Sequence, residues 1–284
     1  MSIVITLMLN GLANGMLIFL IAIGVSVIFG LMGIMNFAHG ALFMWGAYAG
    51  VTTYLATGSF LLGIAASGIV SALWGLAMER LTLRQVYGNH LAQILVTMGA
   101  LLVLTEAVKA IWGPNIITVG TPTVLRGGWE VGGVIFLRYK LLTIGIGLGI
   151  FAGLQFLLNR TRLGMMIRAG VENPEMVRAL GIRIRLVFSL VFALGAAVAG
   201  ISGMILAVGQ GAFGPDIGLS NQLLAFIVVV VGGLGSVTGT LIGAVLVGVT
   251  TSFMAYFLPD LAMAVNVGLM ALLLLVRPQG LFSN

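Results

Sequence analysis

Read for polarity alone, the chain is a succession of long apolar runs separated by short polar breaks. A helix that crosses a bilayer needs about 20 predominantly apolar residues. Nine segments approach that length: residues 3–31, 41–57, 60–78, 91–108, 141–158, 186–208, 222–235, 241–257 and 261–276. Several are short and interrupted by glycine. The pattern therefore predicts an all-α polytopic bundle of eight to ten transmembrane helices, some short or broken, within one transmembrane domain over residues 1–284. Residues 109–140 form its one sizeable loop on one side, and residues 159–185 form a charged loop on the other.

Glycines four apart fall on one helix face. Gly11/Gly15, Gly46/Gly50, Gly145/Gly149/Gly153 and Gly235/Gly239/Gly243 all have this spacing. Lipid supplies no hydrophobic drive for helix association, so small residues that let backbones approach have to supply packing contacts. These glycines are read as helix-packing positions, one such face being open to a partner subunit.

Composition removes the soluble alternatives. Hydrophobic residues are 60% of the 284 and charged residues 7%, against about 25% charged in an ordinary soluble domain. The net charge of +6 is not a nucleic-acid signal, because that requires a solvated basic patch with aromatic partners. Without cysteine there is no disulfide framework and no thiolate metal site. Residues 1–78 carry no charge, and all charges but Asp216, Asp260 and Arg277 lie between Glu79 and Arg185. Lys and Arg in short loops mark the cytoplasmic side, so Arg80, Arg84, the segment 160–185 and the tail at Arg277 are expected there. Residues 109–140, Asp216 and Asp260 are then extracytoplasmic. Nine spans put the N-terminus outside, whereas a broken first helix would reverse it. No Lys or Arg precedes the first apolar run, which argues against a cleavable signal peptide.

The chemistry available to the chain is narrow. A phosphate-binding P-loop needs Lys followed by Ser or Thr, but Lys109 precedes Ala110 and Lys140 precedes Leu141. Both lysines sit at span edges, unsuited to a retinal-type Schiff base. Gly200-Ile201-Ser202-Gly203 matches a serine-protease string, yet His39 and His90 both precede it, so Ser202 is read as a packing residue. Glu106 stands three residues from Lys109, the spacing of an ion pair.

Two breaks are more polar than a connector requires. In Asn36-Phe37-Ala38-His39-Gly40, Asn36 is a candidate helix cap and Gly40 permits close approach. Irregular backbone at membrane depth is tolerated only when buried in protein or lining a watery cavity. His39 therefore has two readings, a structural bond to a neighbouring carbonyl or a place on a translocation path, and Asn36 and Gly40 share the second. Residues 209–220, with Gln210, Pro215 and Asp216, read as an outer connector or a gate, and Gln210 is a further path candidate. In the loop 109–140, Gly127-Gly128 between short extended runs predicts a hairpin. That loop either caps the helices or offers a landing surface.

The charged loop contains a compact helix start. Asn173 can cap the free amides, Pro174 suits the first helical position and Glu175 opposes the positive end of the dipole. Gly181 is the matching left-handed stop. A helix of about two turns over 174–180, carrying Arg178, is predicted between Arg168 and Arg183, in a position suited to docking.

That segment resembles the cytoplasmic coupling loop of ABC import permeases, with Gly181 six residues after Glu175 while Met176 and Val177 replace the usual alanines. Thr161-Arg162-Leu163-Gly164, Arg168-Ala169, Asn173-Pro174-Glu175 and Ala179-Leu180-Gly181-Ile182 together resemble the branched-chain amino acid permeases. So do Asn36-Phe37-Ala38-His39-Gly40 with Gly46-Ala47-Tyr48, Gly232-Gly233-Leu234-Gly235-Ser236 with Gly239 and Gly243, and Arg277-Pro278-Gln279-Gly280-Leu281-Phe282. The length suits the smaller, LivH-type permease of a pair. The resemblance implies the ABC importer permease fold in a bacterial cytoplasmic (inner) membrane, lipid around it, and no enzymatic activity or cofactor of its own. It further implies a second homologous permease, two cytoplasmic subunits that bind ATP and Mg, and an extracytoplasmic solute-binding protein. Transport would proceed by ATP-driven alternating access, with Asn173, Pro174, Glu175, Arg178 and Gly181 docking an ATPase. The substrate would be a branched-chain or related amino acid, with urea and short amides as the alternatives within the family. A self-sufficient channel for a small neutral solute is the alternative outside it.

Overall fold

Backbone groups at membrane depth have to be satisfied within the protein, and the apolar runs achieve this as helices. The computed structural model describes residues 2–131, 134–277 and 280–282, without the side chains of 2, 131, 134, 135, 171, 174, 175, 262, 263, 266, 273, 274 and 276. Pro278 and Gln279 of the C-terminal motif, and the side chains of Pro174 and Glu175, thus lie outside the described residues. The helices run α1 Ser2–Met32, α2 His39–Thr57, α3 Phe60–Leu81, α4 His90–Trp112 and α5 Arg138–Arg160. They continue as α6 Arg162–Glu172, α7 Pro174–Ala179, α8 Ile184–Gln210, α9 Ile217–Gly232, α10 Val237–Phe257 and α11 Ala262–Val276. Among the described residues, α1, α3, α4, α5, α8 and α10 are each long and apolar enough to cross a membrane.

Every predicted span corresponds to a helix, one of them displaced at both ends. The segment expected at 222–235 is α9, which begins at Ile217 and stops at Gly232. Ser220 and Asn221 look like loop residues but spend their polarity on the helix itself, donating to Asp216 O at 2.9 Å and Ile217 O at 2.8 Å. Gly233, at φ 101°, ends the helix, so Gly235 lies in the turn before α10 and not on its face. The helix α6 was not predicted; the Thr161 hydroxyl caps it by accepting from Gly164 N at 3.2 Å.

The bundle is built from two halves of opposite direction. α1 packs on α10, α9, α8 and α5, while α8 packs on α3, α2 and α1. Gly11 faces Val249 and Gly30 faces Gly235, so α1 and α10 run antiparallel; Gly63 faces Met204 and Gly75 faces Ala196, so α3 and α8 do too. Each central helix ends on a left-handed glycine, Gly33 after α1 and Gly211 after α8. Each is followed by a short irregular stretch and then a helix that begins inside the bundle. The arrangement is that of inverted repeats.

The glycine faces divide into two kinds. A Cβ on Gly46 would overlap the Gly200 backbone, and one on Gly50 would press on Met204 and Ser67. One on Gly239 or Gly243 would press on the Gly232 backbone. The face Gly145/Gly149/Gly153 of α5 instead meets nothing within 4 Å, so that stripe packs on no other part of the described chain.

The loop 109–140 contains the predicted hairpin, displaced. Strands β2 Gly128–Val131 and β3 Val134–Leu137 pair with Gly128 opposite Leu137 and Val131 opposite Val134. Gly127-Gly128 therefore opens the first strand and is not the turn. A second pairing joins β1 Ile117–Thr118 to β4 Ala212–Phe213, tying this loop to the stretch that leads into α9.

Substitution should separate the two glycine faces. Gly46→Val is expected to destabilise the bundle by roughly 1–3 kcal/mol, the usual cost of overpacking. Gly149→Val should leave thermal unfolding of the detergent-solubilised chain unchanged. Equal midpoints for the two variants would refute the packing assignment.

Candidate functional site

The first polar break lies inside the bundle. His39 begins α2, and its Nε2 lies 3.1 Å from Ile21 O, in the middle of α1. Eight residues of α1 separate Gly24, whose Cβ would meet the His39 ring, from Met32. At 1.5 Å per residue, α2 therefore starts roughly 12 Å inside the end of α1. The Asn36 side chain does not cap α2; its Oδ1 accepts from Ala38 N at 3.0 Å, a tight turn ahead of the helix. The free amide of Gly40 is satisfied from across the bundle, donating to Gln222 Oε1 of α9 at 3.1 Å. Gly40 and Gly218 lie backbone to backbone, where a Cβ on either would overlap the other. The two short helices thus meet at their N-terminal ends at one depth.

Asn36, His39 and Gly40 are all enclosed by the chain. Because His39 Nε2 faces a carbonyl, that nitrogen carries the proton, and Nδ1 is an acceptor without a partner among the described residues; Asn36 Nδ2 likewise has none there. Gln210, the fourth path candidate, is exposed at the end of α8. Around it, Phe213 packs edge-on against Tyr48 at 4.9 Å, Tyr48 lies 5.3 Å from Trp112, and Trp45 lies between Trp112 and Trp74. This aromatic ladder holds the second break against α2, α3 and α4.

The arginine-rich end carries the short helix. The Asn173 side chain accepts from Met176 N at 3.0 Å, and Pro174 occupies the first turn. At the other end Gly181, at φ 79°, donates to Arg178 O at 2.9 Å while Ile182 N donates to Val177 O at 3.2 Å. That pair of bonds is the Schellman stop. Val177 is buried, while Met176 is 62% and Leu180 73% exposed, so α7 is anchored by one apolar side chain and presents two.

A buried charge cluster underlies this end. Glu79 is fully buried at the last turn of α3. Tyr87 OH and Ser189 Oγ both donate to it at 2.6 Å, and Arg84 Nη2 lies 3.3 Å from Oε2. Burial, and then the bond to Glu79, push the Tyr87 hydroxyl far above the usual phenol range, so it stays a donor. The cluster joins the end of α3, the loop before α4 and the start of α8. Sequence reasoning passed over it; the available signal was an acid placed against Arg80 and Arg84.

Residues 7–275 match the family of branched-chain amino acid transport system permease components. The chain belongs to this family. It is 32% identical over 293 residues to the high-affinity branched-chain amino acid transport system permease protein BraD of Pseudomonas aeruginosa, covering 98% of this chain and 95% of that one. It is 30% identical to the LivH permease protein of Escherichia coli K12, covering 98% and 94%. It is 28% identical to the LivM permease protein of the same organism, covering 94% and 68%. As a member of this permease family with six spans of full length among the described residues, the chain is a multi-pass membrane protein.

The segments that carried the resemblance are in contact. Asn36 to Gly40 meets the start of α9 at Gly218 and Gln222. The end of α9 is closed by the C-terminal motif, where Leu281 N donates to Val231 O at 3.0 Å and Phe282 N to Gly232 O at 3.1 Å. Two of the permease motifs thus lie at opposite ends of the same short helix.

Removing one donor should expose the weight of the charge cluster. Tyr87→Phe deletes a hydrogen bond to a buried carboxylate and is expected to cost about 1.5–3 kcal/mol, read as a lower unfolding midpoint in detergent. Tyr54→Phe should serve as the unaffected control, because no described hydrogen bond uses the Tyr54 hydroxyl.

Proposed function

We propose that this chain is the membrane-spanning subunit of a binding-protein-dependent ABC importer for branched-chain amino acids, forming part of the path by alternating access. The observation that carries the reading is α7, a six-residue helix closed at both ends and presenting Met176 and Leu180 outward. A helix this short is unstable alone. Its caps and the anchor at Val177 keep it in one orientation, as a docking element needs. Asn173, Pro174, Glu175, Arg178 and Gly181 compose or frame that element, and its partner is a cytoplasmic ATP-binding subunit.

The remaining assignments follow from this one. The open glycine face of α5 is available to a second, homologous permease, as LivH and LivM are two permease proteins by name. The hairpin and the loop 109–140 face outward and receive the solute-binding protein. Gln210 lies on the path side of the second break, whereas Asn36, His39 and Gly40 act from behind it. Their junction with Gly218 and Gln222 is where the halves pivot. ATP and Mg are bound by the partner subunits, the C-terminus is cytoplasmic, and residues 1–284 act as one permease domain.

The direct test is Gly181→Val. Among the described residues nothing beyond its chain neighbours lies within 4 Å of where its Cβ would sit, so the substitution acts through the backbone, by roughly 1–2 kcal/mol or more at a left-handed position. Insertion and assembly should be retained while uptake and binding-protein-stimulated ATP hydrolysis are lost. Wild-type values for both would remove the coupling assignment. Orientation is tested separately: a cysteine at Gly128 should react with an impermeant thiol reagent from outside the cell, and one at Glu172 only after the cell is opened.

A further inference from the structure

The arginine-rich end holds a cavity that coupling does not account for. Arg80, Arg84, Arg178, Arg183 and Arg185 all line one cavity of about 440 Å³, together with Ile182, Ile184, Leu186 and Ser189. They come from three places in the chain: the end of α3 and the loop after it, α7, and the start of α8. The positive-inside bias explains arginines near a membrane surface, but not their convergence from separate elements on one concavity.

The charge in this cavity is not neutralised by the described chain. Glu79 is committed to Tyr87, Ser189 and Arg84. Among the described residues the only ion pairs are Arg84–Glu79 and Lys109–Glu106. No described carboxylate pairs with Arg80, Arg178, Arg183 or Arg185. Guanidinium groups stay charged at any physiological pH and present forked donors that match phosphate oxygens. The cavity also has an apolar wall, and Leu81, Leu186 and Leu190 are exposed where α3 ends and α8 begins. α3 and α8 are both spans of full length, so the cavity opens where their apolar surface gives way to water.

We propose that this cavity is a binding site for the phosphate of an anionic membrane lipid. The headgroup phosphate is held by Arg80, Arg183 and Arg185, with Arg84 fixed behind them by Glu79, and the acyl chains lie along the exposed leucines. Arg178 joins the cavity to α7, so an occupied site ties the short helix to the ends of α3 and α8.

The test uses the full-length chain purified in neutral detergent, with phosphatidylglycerol, phosphatidylcholine and inorganic phosphate as probes. Phosphatidylglycerol should stay bound in native mass spectra and raise the unfolding midpoint, and phosphatidylcholine should do neither. The triple variant Arg80→Gln, Arg183→Gln, Arg185→Gln should retain phosphatidylglycerol about 100-fold more weakly, from the loss of three basic residues at an anionic surface. All three side chains are exposed, so the variant should fold, and Arg183→Gln alone provides a milder second variant with a partial loss. The control Arg160→Gln, Arg162→Gln, Arg168→Gln removes equal charge from the same end outside the cavity and should keep wild-type retention. Equal losses in the two triple variants would reduce the effect to general surface charge and overturn the site. Stabilisation by inorganic phosphate equal to that by the lipid would overturn the lipid assignment. Unchanged lipid retention in the cavity variant, with loss of copurifying ATPase, would reassign the arginines to protein docking.

Discussion

Two short helices that begin at membrane depth impose the constraint from which the architecture follows. A helix start leaves four amides unbonded, and in hydrocarbon each costs several kcal/mol if no partner is found. At α2 a cap has to come from elsewhere, because its flanking residue is Ala38, and Gln222 of α9 provides one to Gly40. That bond requires the two helix starts to be in contact, and contact requires Gly40 and Gly218 to lack side chains. The long helices α1 and α8 then frame the junction from either side, which fixes the inverted pairing of α1 with α9 and α10, and of α8 with α2 and α3.

Much of this was legible in the amino-acid sequence because lipid makes the signal simple. Length and apolarity located nine helices, and four residue types at fixed offsets, Asn173, Pro174, Glu175 and Gly181, located α7 with both of its caps. What escaped was whatever depended on where a polar side chain finds its partner. Ser220 and Asn221 resemble a loop until they are seen bonding their own helix, so α9 was placed too late. Asn36 resembles a helix cap but bonds the amide only two residues on, while the actual partner of Gly40 is 182 positions away. Spacing alone likewise put Gly235 on a helix face, although its positive φ places it in the turn against Gly30. Gly145, Gly149 and Gly153 have the same periodicity as Gly46 and Gly50 but no neighbour, and no pattern within one chain distinguishes the two cases.

The two ends of the bundle are held by different physics. Toward the end bearing the loop 109–140, aromatic rings run from Trp74 through Trp45 and Trp112 to Tyr48 and Phe213, joined by the bond from Trp112 Nε1 to Thr52 at 2.9 Å. Dispersion and ring contacts of this kind are numerous and individually weak, so the ladder can slide or repack. At the opposite end Glu79 collects charged and hydroxyl donors in a buried site. Breaking such a network leaves an unpaired buried charge and costs far more than shifting a ring.

Under the coupling role proposed for α7, that asymmetry suits a molecule driven from one end. A displacement delivered to α7 reaches α8 through the short turn after Gly181, and it reaches α3 because Ser189 and Arg84 hold the start of α8 to Glu79. The ends of α3, α7 and α8 are therefore joined with little internal give. The compliance lies elsewhere, in the glycine contacts at the centre and the aromatic stack at the far end. The hydrogen bonds that cross the centre, from Gly40 N to Gln222, His39 to Ile21 O, Ser71 to Leu42 O and Ser202 to Leu20 O, involve no carboxylate, so shifting one half against the other costs less there than breaking the Glu79 cluster. If α7 is the coupling helix proposed above, a stiff input and a compliant output are what it requires for a small movement to open a path on the other side of the membrane.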